Sequence, residues 1–129
     1  MFLLFFAACK SDDKKPDAKS SNSIDAARNF IRAALDAKYR EAKDYLLQDS
    51  VNLNWMDIAE RNYLKADQDT KDGYRASSIN MHEVTPVNDS TAIIIYSNSF
   101  KNDHDTLKVV KLNGQWLVDL KYLFEHDRD

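Results

Sequence analysis

The dipeptide Asn113-Gly114 constrains the fold of this 129-residue chain more than any other feature. Both residues accept the positive φ angles of a two-residue type I′ turn, and β-prone segments at 106–112 and 115–121 flank them. A turn of this length fixes how the two strands pair. The predicted register places Leu112 opposite Gln115, Lys111 opposite Trp116, Val109 opposite Val118 and Lys108 opposite Asp119.

This register sorts the side chains of the hairpin onto two faces. The first face is mainly apolar and should pack on the rest of the domain; its members are Leu107, Val109, Trp116, Val118 and Leu120. The second face should be at least partly wet; its members are Lys108, Val110, Leu117 and Asp119. The opposite charges of Lys108 and Asp119 support the register independently of the apolar pattern.

The rest of the folded region predicts helices followed by two more strands. Apolar spacings of three and four residues indicate a helix at 24–35 behind a Ser23 N-cap, a break at 36–38, and a short helix at 39–46. A third helix is predicted at 53–71, with Gly73 as its left-handed C-cap. Strands are predicted at 75–84 and 91–100, with a turn at 85–89 between them. Helices followed by a four-stranded antiparallel meander predict an α+β domain.

This order of elements resembles the nuclear transport factor 2-like (cystatin-like) superfamily. The stretches that carry the resemblance are 24–35, 39–47 and 107–119, the last of which ends in Asn-Gly-Gln-Trp-Leu-Val-Asp. The resemblance implies N-terminal helices packed on a curved four-stranded antiparallel sheet, a cone-shaped roll over residues 24–129. The chain is most similar to small lipoprotein members whose domains have no assigned function. Since the superfamily includes isomerases, dehydratases, transport factors and association domains, the fold alone does not give the function.

The only cysteine, Cys9, ends a seven-residue apolar run at 2–8 and precedes a polar segment. The sequence Phe6-Ala7-Ala8-Cys9 resembles the lipobox of bacterial lipoproteins, which is cleaved before a cysteine that is then acylated. We therefore expect Cys9 to be lipidated. Residues 1–8 would be the end of a signal segment that starts upstream, because no Lys or Arg precedes the run. The run is much shorter than the roughly 20 apolar residues that cross a bilayer.

The lipidated cysteine and the following residues, 9–23, are predicted to form a solvated tether, because Ala18 is the only apolar residue among residues 10–23. Lys10 stands where an aspartate keeps some lipoproteins in the inner membrane, which favours the outer membrane of a Gram-negative bacterium. The segment Lys10-Ser11-Asp12-Asp13 resembles an acidic signal for export to the cell surface. Surface and periplasmic orientations both stay open.

Four aromatic side chains are candidates to line a pocket in the cone: Trp55, Tyr63, Tyr96 and Trp116. Aromatic residues also fill protein cores, so core packing is the competing interpretation. Isomerase and dehydratase relatives place Asp, His or Tyr on the inner wall, where burial tunes their acidity. The predicted inner face of the hairpin carries neither a carboxylate nor an imidazole, and we assign no catalytic residue.

No metal site and no cofactor are predicted. The three histidines fall on a strand, in a loop and in the tail, without chelating spacing; they are His82, His104 and His126. The acidic segment 67–73 lacks the glycine and glutamate positions of a calcium-binding EF-hand loop. Two glycines are too few for a phosphate-binding loop, and a net charge of −3 with scattered Lys and Arg does not indicate a nucleic-acid partner.

Two hypotheses of different classes follow from these observations. The first is a membrane-anchored envelope domain that binds a small-molecule ligand or a protein partner without catalysis, through the cone mouth or the wet sheet face. A homodimer through that face is one form of this hypothesis. The alternative is a small-molecule enzyme of isomerase or dehydratase type that uses the cone pocket.

Overall fold

Four helices precede four strands in the computed structural model, which describes residues 22–122. The elements are α1 (Ser23–Leu35), α2 (Tyr39–Asp44), α3 (Ser50–Lys65), α4 (Gln68–Ala76), β1 (Ile79–Asn88), β2 (Thr91–Asn98), β3 (Asp105–Leu112) and β4 (Gln115–Asp119). The strands form one antiparallel sheet in the order β1-β2-β3-β4. The predicted α+β class is confirmed. The predictions for Cys9, for the signal segment and for most of the tether lie outside the described residues, as does His126.

The β3–β4 hairpin has the predicted register, from Lys108 opposite Asp119 to Leu112 opposite Gln115. Asn113 and Gly114 have φ angles of 53° and 79°, as the turn requires. Asp119 departs from the prediction of a wet second face, because it is only 7% exposed. Its carboxylate is covered by contacts with α3, which are described below.

Helix α1 packs its apolar side on the sheet and begins one residue earlier than predicted. Asn22, and not Ser23, is the N-cap, and its side-chain oxygen accepts a hydrogen bond from the Asp25 N–H at 2.8 Å. The predicted break after α1 is confirmed, with Ala37 at a φ of 63°. The short linker after α2 then pairs with the free edge of β4, where the Leu47 N–H donates to the Val118 carbonyl at 2.8 Å.

The predicted third helix at 53–71 is wrong, because two helices, α3 and α4, occupy this region. Ala66 between them is extended, with φ −74° and ψ 155°. The Asp67 carboxylate then accepts the Thr70 N–H at 2.8 Å and so caps a new helix. Asp49 caps α3 in the same way by accepting the Asn52 N–H at 2.8 Å.

Gly73 is not a left-handed C-cap, because it lies inside α4. A Cβ atom at this position would overlap the ring of Phe100, which lies in the loop between β2 and β3. The same ring makes an edge-on contact with Tyr74, with 5.0 Å between the centroids. The glycine therefore allows α4 to approach that loop closely.

The first strand also differs from its prediction at 75–84. β1 begins at Ile79 and runs through the predicted turn, so that Pro86 pairs with Ala92 inside the ladder. β1 lies at the edge of the sheet, where a proline costs no hydrogen bond to a neighbouring strand. The pairing is irregular on both sides of this segment, between Met81 and Glu83 and between Pro86 and Asn88.

The hydrophobic core lies between α1, the segment from α2 to Leu46, and the inner face of the sheet. Its buried residues are Ala26, Ala27, Phe30, Ile31, Ala33, Ala42, Leu46, Met56, Ala92, Ile94, Leu107, Val109, Val118 and Leu120. Helix α3 contributes Met56 alone to this core, and none of the α4 residues is buried. The second half of α3 and all of α4 therefore stand at the periphery, where they form one wall of a cleft.

Candidate functional site

An open cleft of about 450 Å³ lies between the end of α1, the start of α2, the second half of α3, and α4. Four of its lining residues carry only small or aliphatic side chains, namely Ala34, Leu35, Ala59 and Ala66. Three tyrosines, an amide and a hydroxyl complete the lining, namely Tyr39, Tyr63, Tyr74, Asn62 and Thr70. The alanines on facing helices leave the space, and the tyrosines provide most of the apolar wall.

A second cavity of about 270 Å³ adjoins the cleft on the side of the core. The two cavities share Ala34, Tyr39 and Ala59 in their linings. The remaining residues of the second cavity are apolar, namely Phe30, Trp55, Met56 and Leu120. An apolar group that enters the cleft can therefore extend toward the core past the side chain of Tyr39.

Tyr39 and Tyr63 pack edge to face in the wall of the cleft, with 5.9 Å between the ring centroids. Burial raises the pKa of Tyr39 to about 12, with smaller contributions from Tyr63 and Glu60. The Tyr39 phenol is therefore neutral at physiological pH and keeps its proton for hydrogen bonding. The three tyrosines supply aromatic surface together with a few polar atoms, as in many small-molecule sites.

Two cations of α4 contact Tyr63 at the edge of the cleft. The Lys71 Nζ atom lies 5.2 Å from the centroid of the Tyr63 ring. The Arg75 guanidinium donates a hydrogen bond to the Tyr63 hydroxyl at 3.1 Å. Thr70 and Lys71 lie one turn before Tyr74 and Arg75, so one side of α4 presents both the cleft lining and the two cations.

The C-terminal end of α4 is attached to the rest of the domain through Arg32 of α1. The Arg32 guanidinium donates to the Ser77 carbonyl at 2.8 Å and to the Arg75 carbonyl at 3.2 Å. It also pairs with Asp36 at 2.9 Å. These bonds satisfy carbonyls that a helix end leaves without intrahelical partners, and they set the width of the cleft at this end.

The structure places the four predicted pocket residues in different surroundings. Tyr63 lines the cleft, and Trp55 lines the adjoining cavity. Tyr96 and Trp116 pack against the hydrophobic core and line neither of these two cavities. Burial raises the pKa of the Tyr96 phenol, and the charge of Asp105 adds to this effect.

Sequence reasoning missed Tyr39 and Tyr74 as lining residues. With Gly73 as a C-cap, the sequence pattern puts Tyr74 after the end of a helix. Once Asp67 is taken as an N-cap, Thr70 and Tyr74 fall on one face of a helix at a spacing of four. The position of Tyr39 against α3 depends on packing between distant segments, and no local pattern indicates it.

A second polar cluster joins the start of α3 to the end of β4. The fully buried Asn52 amide donates to the Asp119 carboxylate at 3.2 Å, and its oxygen accepts the Leu120 N–H at 2.7 Å. Lys121 pairs with Asp119 at 2.9 Å and also with Asp49. The side chain of Asp119 therefore bonds to Asn52 and Lys121 across the α3–β4 junction, and its backbone pairs with Lys108 of β3.

Hydrogen bonds determine the ionisation of this cluster. The Asn52 N–H and the Lys121 ammonium hold the pKa of Asp49 below its usual 3.8. Burial acts to raise the pKa of Asp119, but hydrogen bonds from Lys121 and Asn52 outweigh it and leave the pKa lowered. Burial likewise acts to lower the pKa of Lys121, and its two carboxylate partners raise it overall. Both carboxylates are thus charged at neutral pH.

Two of the three histidines come together on the sheet side of the molecule. The rings of His82 and His104 stack with 4.0 Å between their centroids, and His82 Nε2 lies 2.7 Å from the Ser97 hydroxyl. No group of three or more His, Cys, Asp or Glu side chains in the described part of the chain is arranged to hold a metal ion. Among the same residues, no helix has both the length and the apolar character needed to cross a membrane.

Comparisons with family models, with curated proteins and with solved structures find no match to this chain.

Proposed function

We propose that this domain binds a small, largely apolar ligand in the tyrosine-lined cleft without chemically transforming it. The observation that carries the proposal is the composition of the cleft lining. Its described residues offer aliphatic, aromatic, amide and hydroxyl groups, and none of them is Asp, Glu, His, Lys or Arg. Such a lining provides apolar contact area and a few hydrogen bonds, but it has no group poised for acid–base catalysis near neutral pH.

The size of the cleft supports the same function. Its volume of about 450 Å³ lies within the range of about 300–1,000 Å³ that is typical of small-molecule sites. The adjoining cavity, lined by Trp55 and Met56, adds room for an apolar group that passes Tyr39. A ligand of modest size could bury most of its surface here.

We also infer that the domain is held at the outer membrane of a Gram-negative bacterium by acylation of Cys9, and that it belongs to the nuclear transport factor 2-like superfamily. The lipobox-like segment supports the first inference. The order of helices before a four-stranded antiparallel meander supports the second. An envelope location would bring the cleft into contact with apolar compounds that enter or leave the cell.

The outer face of the sheet supports a second role, association with another copy of the chain. Four aliphatic side chains on this face are only half-buried, namely Ile93, Ile95, Val110 and Leu117. Aliphatic residues that keep part of their surface exposed on neighbouring strands offer an apolar patch that a partner could cover. Sedimentation of the Val110→Lys variant, compared with the parent chain, tests this role, since loss of a dimer would support it and a parent chain that sediments as a monomer would contradict it.

The binding proposal can be tested with N-phenyl-1-naphthylamine, a neutral apolar dye whose fluorescence rises in apolar sites. The full chain with Cys9→Ala serves as the parent, because it cannot be acylated at that position and detergent can be left out. Ala59→Leu should weaken dye binding roughly tenfold, about 1.4 kcal/mol, because the new side chain fills space in both cavities. Ala76→Leu on exposed α4 surface is the matched control. Equal binding by both variants would contradict the proposal.

A further inference from the structure

We propose that the ligand of the cleft is an amphiphilic anion, a single apolar body with one acidic group, whose charge is bound by Lys71 and Arg75. This inference rests on the proposed binding function and specifies its ligand class. A free carboxylate, sulfonate or phosphate monoester of suitable size has this chemistry. The surface of a lipid bilayer does not have this chemistry, because only a single ligand molecule free in solution can place its apolar body inside the cleft.

Lys71 and Arg75 both lie at the edge of the cleft. Lys71 lies over the ring of Tyr63, and Arg75 donates to the hydroxyl of the same side chain. Both therefore sit beside a residue that lines the cleft, on the same side of α4 as Thr70 and Tyr74. A ligand whose apolar body touches the Tyr63 ring would place a terminal acidic group within reach of both cations.

The ion pairs in the described part of the chain involve other cations. Within residues 22–122, they join Arg32 to Asp36, Lys43 to Asp57, and Lys121 to Asp49 and Asp119. Neither Lys71 nor Arg75 is a member of these pairs. Their contacts at the cleft are with the Tyr63 side chain, so neither cation is held by a carboxylate there.

The neighbouring carboxylates keep their negative charge, but within residues 22–122 none of them forms an ion pair with Lys71 or Arg75. Asp67 caps α4 through the Thr70 N–H, Asp72 accepts a hydrogen bond from Gln68, and Asp36 is paired with Arg32. The charge of Glu60 contributes to the raised pKa of Tyr39. An acidic group of a ligand would therefore meet two cations that are not already held in an ion pair.

The chemistry of the two cations suits a single acidic group. The guanidinium can give two parallel hydrogen bonds to a carboxylate or sulfonate, and such charge-assisted bonds are stronger than bonds between neutral groups. The ammonium of Lys71, one helical turn before Arg75 in α4, adds a flexible point charge. The apolar body would occupy the cleft and extend past Tyr39 toward Trp55.

A matched pair of dyes tests the inference. N-phenyl-1-naphthylamine is neutral, and 1-anilinonaphthalene-8-sulfonate has the same aromatic skeleton with one added sulfonate. The Cys9→Ala chain should bind the sulfonate at least roughly tenfold more tightly than the neutral dye, and added salt should reduce this preference. The double variant Lys71→Gln/Arg75→Gln should lose the preference and keep its affinity for the neutral dye within about twofold.

The double variant Arg61→Gln/Lys65→Gln is the matched control, because it removes the same charge at the same spacing from exposed positions on α3. It should retain the preference for the sulfonate. The inference is overturned if both double variants lose the preference equally, if the two dyes bind the parent equally, or if the chain binds anionic lipid vesicles but not the monomeric sulfonate. Failure of both dyes to bind would instead remove the binding function itself.

Discussion

Replacing Asn52 by alanine tests whether the polar cluster at the α3–β4 junction stabilises the fold. Asn52 is fully buried, and its amide donates to the carboxylates of Asp49 and Asp119 at 3.2 Å. Its side-chain oxygen accepts the backbone N–H of Leu120 at 2.7 Å. One side chain therefore joins the first turn of α3 to the residues that end and follow β4.

The expected loss follows from the groups that Asn52→Ala leaves behind. The Leu120 N–H would lose its partner in a buried position, which costs about 1–3 kcal/mol. The buried Asp119 carboxylate would lose one of its donors, a bond to a charged group worth about 1.5–3 kcal/mol. The contact with Asp49 adds little, because that carboxylate is partly exposed. We expect a total loss of about 3–5 kcal/mol in the free energy of unfolding.

Urea denaturation at pH 7, followed by circular dichroism, measures this loss from the change in midpoint at constant slope. Asn54→Ala is the control, because it makes the same chemical change at an exposed position of the same helix and should alter stability by less than about 0.5 kcal/mol. A loss below about 1 kcal/mol for Asn52→Ala would refute the reasoning, since the buried amide would then contribute no more than a surface group.

Three further predictions concern pH, packing and the anchor. Because the pKa of Asp119 is lowered in the folded state, its carboxylate stabilises the fold at pH values above the unfolded-state pKa of 3.8. The urea midpoint should therefore fall as the pH drops through the folded-state pKa of Asp119. This fall should be less steep in the Lys121→Met variant. Gly73→Ala should not raise the free energy of unfolding of the parent chain, because the new Cβ overlaps the Phe100 ring. In the Phe100→Ala background the same change should raise it by about 1 kcal/mol. Equal effects in both backgrounds would argue against this contact. Cys9→Ala should leave the protein soluble or with its signal segment unprocessed, and unchanged membrane retention would contradict lipidation.

The hairpin could be predicted because its determinants are local. A two-residue turn leaves one register, and in this register Val109 and Val118 lie opposite each other on the more apolar face, which is the inner face. The break after α1 was predicted at the segment Asp36-Ala37-Lys38, although the apolar stripe continues through Tyr39 and Ala42. Short-range patterns of this kind were sufficient for the α+β class.

The errors arose where one residue type serves two purposes. An aspartate within a helical pattern can be a solvated side chain or an N-cap, and Asp67 is a cap that divides the predicted helix. A proline can form a turn or occupy an edge strand, and Pro86 does the latter. A glycine can cap a helix or permit close packing, and Gly73 permits the approach of Phe100. Tertiary contacts decide each case, and the sequence pattern alone does not contain them.

The candidate site could be predicted only in part for a related reason. The sequence predicts Tyr63 and Trp55 as pocket residues, but the cleft also needs Tyr39 from a different helix. The cluster at the α3–β4 junction joins Asn52 to Asp119, which are 67 positions apart in the chain. Pairing across such a separation follows from the finished fold, so a reading of local patterns places these side chains on a polar surface.

The distribution of buried residues explains why the cleft lies beside α4 and not inside the sheet. The inner face of the sheet is filled by α1, which leaves Tyr96 and Trp116 as packing residues. Helix α4 buries none of its residues, and the bonds from Arg32 to carbonyls at its C-terminal end and the contact with Phe100 hold it in place. An element that is held at one end and little buried costs little free energy to displace. The wall that carries the two cations is therefore also the wall that can best adjust to a ligand, so the recognition of charge and the accommodation of shape depend on the same nine-residue helix.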